Sequence, residues 1–325
     1  MSRIVIAGTT TSGKTCYFYA MLRKMMRGIS GFSVRVAEKD YAQLRLAMKR
    51  LGDKTLPLAE RFPKATSEQE NYTMDLLYNL RAIDTFEWND YPGEFAEIGD
   101  EKFLKLLENA TCLLLCVDGS QIQGDMSDIE DIIDTIYNDA GGMDLCNILQ
   151  QAERRNEGGF PPVCVMVTKY DKVSEELRNI ETITEILVNC FPVLFTEGDT
   201  GKNRVVTICP VTLGKDLENN GPLDPKNVEK PICFANYLIQ LRKLQEYIEK
   251  ANSLLENDQK QKEQYKKRSF FGKIISPKPQ PLTEEQKQAM KMLFEKGKKD
   301  LEAVRNMIVN LPLYLNGVKT DWPEL

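Results

Sequence analysis

The 325 residues include no histidine. A histidine general base, a histidine zinc ligand and a Ser-His-Asp triad are therefore excluded within the chain. A large excess of charge of either sign is also lacking. Lys and Arg number 43 against 48 Asp and Glu, a formal net charge of −5, so there is no broad basic field of the kind that holds nucleic acid. No apolar run approaches the ~20 residues of a membrane-spanning helix. Met1-Ser-Arg is followed only by the short apolar run Ile4 to Ala7 before Gly8, which predicts no signal peptide. Ser2 in place of glycine, and a Trp-Pro-Glu-Leu ending, predict neither myristoyl nor prenyl attachment. The eight cysteines are scattered without a Cys-x-x-Cys pair. Cys112, Cys116, Cys164 and Cys209 sit inside apolar runs and read as small core residues. This usage points to a reducing, cytoplasmic setting.

What is present is ordinary globular material, 42% hydrophobic and 28% charged, long enough for one large or two modest domains. Four short apolar runs are bounded by polar or turn residues: Ile4 to Ala7, Cys112 to Val117, Val163 to Val167 and Val205 to Cys209. Such runs suit strands buried on both faces of a parallel sheet. Tyr72 to Tyr78 and Ala82 to Trp88 read as an antiparallel pair joined near Asn79-Leu80-Arg81. Met126 to Tyr137 repeats Ile129, Ile132, Ile133 and Ile136 at helical spacing. Strands alternating with helices imply a doubly wound α/β fold. The last third differs. Leu238, Leu241, Leu244, Ile248 and Leu255 predict a long amphipathic helix, and polar, Pro-ending residues 258–281 predict a loop or hinge. Thr283 is placed to cap a second helix carrying Met290, Leu293, Gly297, Leu301, Val304 and Ile308 on one face. The expected division is residues 1–230 for the α/β domain and 231–325 for a helical hairpin.

Gly8, Thr9, Thr10, Thr11, Ser12, Gly13, Lys14 and Thr15 match G-x-x-x-x-G-K-[ST] without deviation. The match follows the first apolar run and opens a helical segment, the strand–loop–helix context the motif requires. Glycines let the loop curl so that successive N–H groups face phosphates, and the helix N-terminus adds partial positive charge. Lys14 then reaches the β- and γ-phosphates, the Thr15 hydroxyl ligates Mg²⁺, and Cys16 is the next residue along the helix. The bland alternative is a glycine-rich turn.

Three later segments complete a set. Asp90-Tyr-Pro-Gly93 ends a predicted strand and fits D-x-x-G: Asp90 would hold Mg²⁺ through water, and the Gly93 N–H would contact the γ-phosphate. Thr168-Lys169-Tyr170-Asp171 follows the third apolar run and fits [NT]-K-x-D. Its carboxylate, Asp171, can accept from both N1–H and the 2-amino group of guanine, a donor pair adenine lacks, while the Lys169 stem packs along the base. Pro210 to Gly214 follows the last run, where Val211 and Thr212 are placed to offer backbone N–H to the guanine oxygen. Thr66 stands where a second magnesium-ligating threonine is expected, with Thr55 and Thr73 as competitors. Arg61, just upstream, could act on a transferring phosphate, but a solvated surface arginine is the preferred reading.

With these motifs in order, the chain resembles the Ras-like, translation-factor-related class of P-loop GTPases over roughly residues 2–214. Asp90-Tyr-Pro-Gly-Glu94 looks like the D-Y-P-G-E element of the bacterial YcjX-like and double-GTPase families. The resemblance implies a Mg²⁺-dependent GTP/GDP switch on a three-layer fold, with a mostly parallel sheet of about six strands, one antiparallel. It implies catalytic roles for Lys14, Thr66 and Gly93, and magnesium ligation by Thr15, Thr66 and Asp90. Glu94 departs from the glutamine of Ras-type enzymes; a carboxylate there could orient water or accept its proton, yet would repel the γ-phosphate.

The expectation is a cytoplasmic protein that binds GTP with Mg²⁺, hydrolyses it slowly to GDP and switches a protein effector or answers to an activating protein, without nucleic acid. An ATPase of the same fold and a nucleotide-locked scaffold with little turnover are the alternatives. Residues 266–275 mix basic and apolar side chains as a membrane-surface segment would, but a solvated loop is preferred there.

Overall fold

A computed structural model describes residues 1–64, 69–92, 101–139, 141–155, 161–196, 204–267 and 283–323. Thr66, Gly93, Glu94 and the basic–apolar segment from residue 268 onward lie outside them.

The apolar runs form the strands their pattern implies. β1 (Ser2–Gly8), β5 (Cys112–Asp118), β6 (Val163–Thr168) and β7 (Val205–Pro210) run parallel, and β4 (Arg81–Asp90) lies parallel to β1 on its other side. β3 (Glu70–Tyr78) pairs antiparallel with β4 through a turn in which Asn79 and Leu80 both have positive φ. These six expected strands are contiguous, but among the described residues the sheet has nine, with β2 (Phe32–Val36), β8 (Leu313–Leu315) and β9 (Val318–Thr320) added, in the order β2-β3-β4-β1-β5-β6-β7-β8-β9. The expected count of about six is therefore corrected by three edge strands, and the single antiparallel strand by a second, β8. β2 (Phe32–Val36) adds outside β3, burying Phe32, Val34 and Val36 in strict alternation. β8 (Leu313–Leu315) runs antiparallel to β7 and turns at Asn316-Gly317 into β9 (Val318–Thr320). Both turn residues have positive φ, the backbone that Asn-Gly supplies to a two-residue hairpin.

Helices cover both faces. α1 (Lys14–Met25) packs on one, where Tyr17 and Phe18 stack with Trp88 of β4. α2 (Glu38–Gly52) and the single turn α3 (Leu58–Arg61) follow β2. On the other face, Val5, Leu113, Leu115, Val163, Val165 and Val167 form a core. Packed there are residues of α4 (Glu101–Glu108), α5 (Ile129–Asp134), α6 (Gly142–Arg155), α7 (Ile180–Cys190) and α8 (Pro192–Phe195). At the lower end of α6 a buried ion pair joins Glu153 to Arg204, whose guanidinium also donates to the Thr196 carbonyl at 2.6 Å.

The chain divides into two compact units: Met1–Ala235 with Met307–Glu324, and Asn236–Asn306. The second contains most of α9 (Lys230–Lys267) and α10 (Glu284–Ile308). Within it the Tyr247 hydroxyl donates to the Met290 carbonyl at 2.9 Å, and a Cβ added at Gly297 would lie 3.3 Å from Leu244 Cδ1. The pairings 247 with 290 and 244 with 297 make the two helices antiparallel. α9 continues helically to Lys267 where a loop was expected from Asp258. Lys, Glu and Gln are good helix formers even without an apolar stripe, and Glu256 and Lys260 pair one turn apart. At the start of α10, Thr283 Oγ1 accepts from the Gln286 N–H and Gln286 returns the bond to the Thr283 N–H, a capping box. Of the expected α10 stripe, Leu301, Val304 and Ile308 are buried, whereas Leu293 is exposed. Among the described residues no helix is long and apolar enough to cross a membrane.

Candidate functional site

The motif residues collect at the carboxyl ends of the parallel strands, beside β1, where the strand order turns outward in both directions. That is the place where open α/β sheets bind ligands. The registers set them level: Ile6 with Asp90, Gly8 with Cys116, Asp118 with Thr168, and Val167 with Pro210.

The loop between β1 and α1 needs its glycines. Gly8 has φ 147°, and a Cβ there would lie 2.5 Å from the Cys116 carbonyl oxygen. Gly13 caps α1 with φ 87°. The loop thus curls over the N-terminus of α1, whose partial positive charge suits an anion. The Lys14 ammonium folds back to donate to the carbonyls of Gly8 (2.7 Å) and Thr9 (2.8 Å). Ser12 is fully buried, and its hydroxyl has no hydrogen-bond partner among the described residues.

Asp90, at the end of β4, is 1% exposed. Its Oδ2 accepts from the Thr15 hydroxyl at 3.3 Å, while its Oδ1 is buried without a hydrogen-bond partner among the described residues. Burial raises its pKa to about 6; Lys14 opposes that shift, Glu70 adds to it and the Thr15 bond lowers it. A carboxylate oxygen left over beside a threonine hydroxyl is the donor set of a hard divalent cation, so Asp90 and Thr15 fit magnesium.

The Thr168 hydroxyl is placed 2.6 Å from the Ser12 carbonyl and 3.1 Å from that of Val117. Its role is to tie the loop to β5 and β6. Lys169 takes a left-handed backbone (φ 46°), and its ammonium pairs with Asp118 Oδ2 at 2.5 Å. The other Asp118 oxygen accepts from the Ser120 N–H at 2.9 Å and hydroxyl at 2.6 Å. Beside this pair opens a cavity of about 380 Å³ with mostly apolar walls. Thr11, Gly13, Cys16, Lys169, Asp171 and Val211 all line it, together with Phe62, Leu213, Gly214 and Leu217. Burial pushes the Cys16 thiol up to about 12, against the attraction of Lys169.

Three expected features fall elsewhere. The Val211 N–H is taken by the Val167 carbonyl and that of Thr212 by the Lys226 carbonyl. Leu213 and Gly214, rather than Thr212, line the cavity. Arg61 is neither a surface residue nor aimed at the phosphate loop. It is 1% exposed and donates to three backbone carbonyls. Residues outside the motifs are Asp118, Phe62 and Leu217, while Leu213 and Gly214 belong to the segment Pro210 to Gly214, where Val211 and Thr212 were expected to act. Only Asp118 carried a signal: a carboxylate closing an apolar run, level with Thr168.

The arrangement therefore offers a glycine-curled loop at a helix N-terminus for a polyphosphate, an acid–hydroxyl pair for a divalent cation, and an apolar slot ending in a carboxylate for a planar hydrogen-bonding group. No protein-family model and no curated protein matches the chain, so the resemblance to YcjX-like and double-GTPase families stands on the motifs alone. Among solved structures, the GTPase-like domain of Ski7 from S. cerevisiae bound to GTP is similar at 15% identity and a TM-score of 0.41, over 66% of this chain and 44% of that one. Its form bound to GDP and inorganic phosphate gives 14%, 0.41, 65% and 43%. Elongation factor SelB from Methanococcus maripaludis with the GTP analogue GPPNHP gives 11%, 0.32, 65% and 29%. The chain spans less than half the length of each. At such scores neither the fold nor the function rests on these likenesses.

Proposed function

We propose that the chain binds GTP with Mg²⁺, hydrolyses it slowly to GDP, and presents the difference between the two states to a protein partner. One observation carries this reading. The cavity bearing Asp171 and Lys169 shares Thr11 and Gly13 with the phosphate loop, and Cys16 with the helix that the loop opens, so a single ligand with a flat donor edge and a polyphosphate tail satisfies both.

In this reading the loop from Gly8 to Thr15 wraps the phosphates. Lys14 leaves the Gly8 and Thr9 carbonyls for the β- and γ-phosphates. Asp171 accepts from the two guanine donors, Lys169 packs along the base while held by Asp118, and Thr168 holds the loop in place. Asp90 and Thr15, joined by Thr66, hold Mg²⁺, which when bound neutralises charge on the phosphate oxygens. Gly93 contacts the γ-phosphate and Glu94 positions water. Catalysis is mostly positioning and charge compensation. With Arg61 bound to backbone carbonyls, it brings no cation to the phosphate, so turnover is slow, on the order of 10⁻⁴ to 10⁻² s⁻¹, the range of switch GTPases without external help.

The test is a competition among GTP, ATP and xanthosine triphosphate, for the wild type and Asp171→Asn, with phosphate release followed in parallel. GTP should win in the wild type, and Asp171→Asn should weaken GTP and improve xanthosine triphosphate. Equal affinity for ATP and GTP would replace guanine reading by an ATPase. Tight binding without phosphate release would make the chain a nucleotide-locked scaffold.

A further inference from the structure

Arg61 is a buried charge, 1% exposed, for which the nucleotide chemistry finds no use. Its guanidinium forks to three carbonyls from two separate segments: Nε to Leu51 at the end of α2 (3.0 Å), and Nη1 to Leu217 (3.2 Å) and Nη2 to Gly221 (2.8 Å) in one loop. Its Cζ also lies 5.8 Å from the centre of the adjacent Phe62 ring. Burial lowers its pKa, so holding the charge inside costs stability, and replacing buried charges by apolar groups is often neutral or stabilising. Such a group needs a return, and the geometry shows where it falls. Phe62 and Leu217 are both walls of the cavity beside Asp171. Phe62 comes from the segment that precedes β3, and Leu217 from the loop that follows β7. Arg61 is attached covalently to the first and by hydrogen bonds to the second.

Among the described residues the Leu217 loop is otherwise held mainly by bonds within itself. Asp216 and Asn220 both have positive φ, and the Gly221 N–H closes the turn on the Asp216 carbonyl. Glu218 pairs with Lys172 across an exposed position, 60% accessible on the Glu218 side chain. Exposed pairs of this kind contribute little.

We infer that Arg61 is a positioning residue for the base. It clamps the loop containing Leu217 and Gly221 against Phe62 and so sets the width of the slot, without touching the nucleotide. This rests on the cavity being the guanine site. A planar fork reaching three carbonyls in different directions is a task a lysine ammonium does not reproduce, since Arg presents five donors in fixed geometry.

The experiment compares the full chain with Arg61→Met and Arg61→Lys. Affinities for GTP and for inorganic triphosphate, each with Mg²⁺, are measured by displacement of a fluorescent GTP analogue. Folding of each variant is confirmed by circular dichroism. Inorganic triphosphate reads the phosphate loop alone. Arg61→Met should lose about tenfold or more in GTP affinity, about 1.4 kcal/mol, while triphosphate changes less than about threefold. Arg61→Lys should fall in the same direction despite its retained charge. A merely structural role would weaken both ligands in parallel. If either variant folds and keeps the wild-type ratio of GTP to triphosphate affinity, the inference is overturned. If Arg61→Met does not fold, Arg61→Lys alone decides. A wild type that binds GTP no better than triphosphate overturns the guanine reading itself, an outcome distinct from the first.

Discussion

The carboxylate of Asp90 is a cost the metal-free protein bears for its site. Its side chain is buried, one oxygen has no hydrogen-bond partner among the described residues, and its pKa stands near 6 against an ordinary 3.8. A displacement of roughly two units is about 3 kcal/mol at 1.36 kcal/mol per unit. The sign follows from proton counting. Between about pH 4 and pH 6 the native state holds a proton that the unfolded chain has lost, so stability falls as pH rises through that window. Above it the full cost is present. Asp90→Asn removes the charge but keeps the size and the need for a partner, which returns about 1 kcal/mol of the gain. In EDTA and without nucleotide at pH 7.5, the variant should be more stable than the wild type by roughly 1–3 kcal/mol. That advantage should shrink as pH approaches 4, and Mg²⁺-dependent nucleotide binding should be lost at every pH. Urea denaturation at several pH values gives the stabilities. A variant less stable than the wild type at pH 7.5, or a gap that does not close on acidification, would refute the account of Asp90 as a buried carboxylate only partly compensated by Thr15 and Lys14.

Two further outcomes are expected. Lys14→Ala removes the cation that the phosphate loop holds in reserve, and should weaken binding of a fluorescent GTP analogue by at least roughly tenfold, since contacts to charged groups contribute about 1.5–3 kcal/mol; unchanged affinity would place the nucleotide elsewhere. Gly317→Ala puts a Cβ 1.7 Å from the Phe195 carbonyl oxygen at φ 78°, so the β8–β9 turn must shift; a loss of thermal stability is the expected result, and an unaltered melting temperature would mean that the hairpin is not packed as described.

What could be read from the residues alone was what local physics dictates. Apolar runs made strands because burial on both faces asks nothing of the neighbouring sequence, and the phosphate loop declares itself by glycine spacing. Thr283 announced the start of the second helix, and the structure adds the reciprocal bond from Gln286. β2 was missed although Phe32, Val34 and Val36 alternate, because a five-residue pattern between helices is weak until β3 offers an edge. The β8–β9 hairpin carried a signal in Asn316-Gly317 that went unread beside the stronger helical stripe. Arg61 had no local signature at all. Its partners Leu217 and Gly221 lie far along the chain, and only the closed fold brings their carbonyls together. The same holds for the cavity wall at Leu213 and Gly214, where position after a strand pointed to the loop but not to which N–H groups the backbone had already taken.

The edge of β7 is covered by Leu313–Leu315, which follow the helical unit in the chain. During synthesis, then, the parallel sheet stands with β7 unpaired on one side while more than a hundred residues are still to emerge, on the order of 5–20 s at typical translation rates. Open strand edges are where nascent chains join the wrong neighbour. The helical unit, entered at Asn236 and left at Asn306, lengthens that interval by its whole span. It is a delay built into the order of the sequence, and it ends only when Leu313 to Leu315 take the place beside β7 that any other strand could until then have occupied.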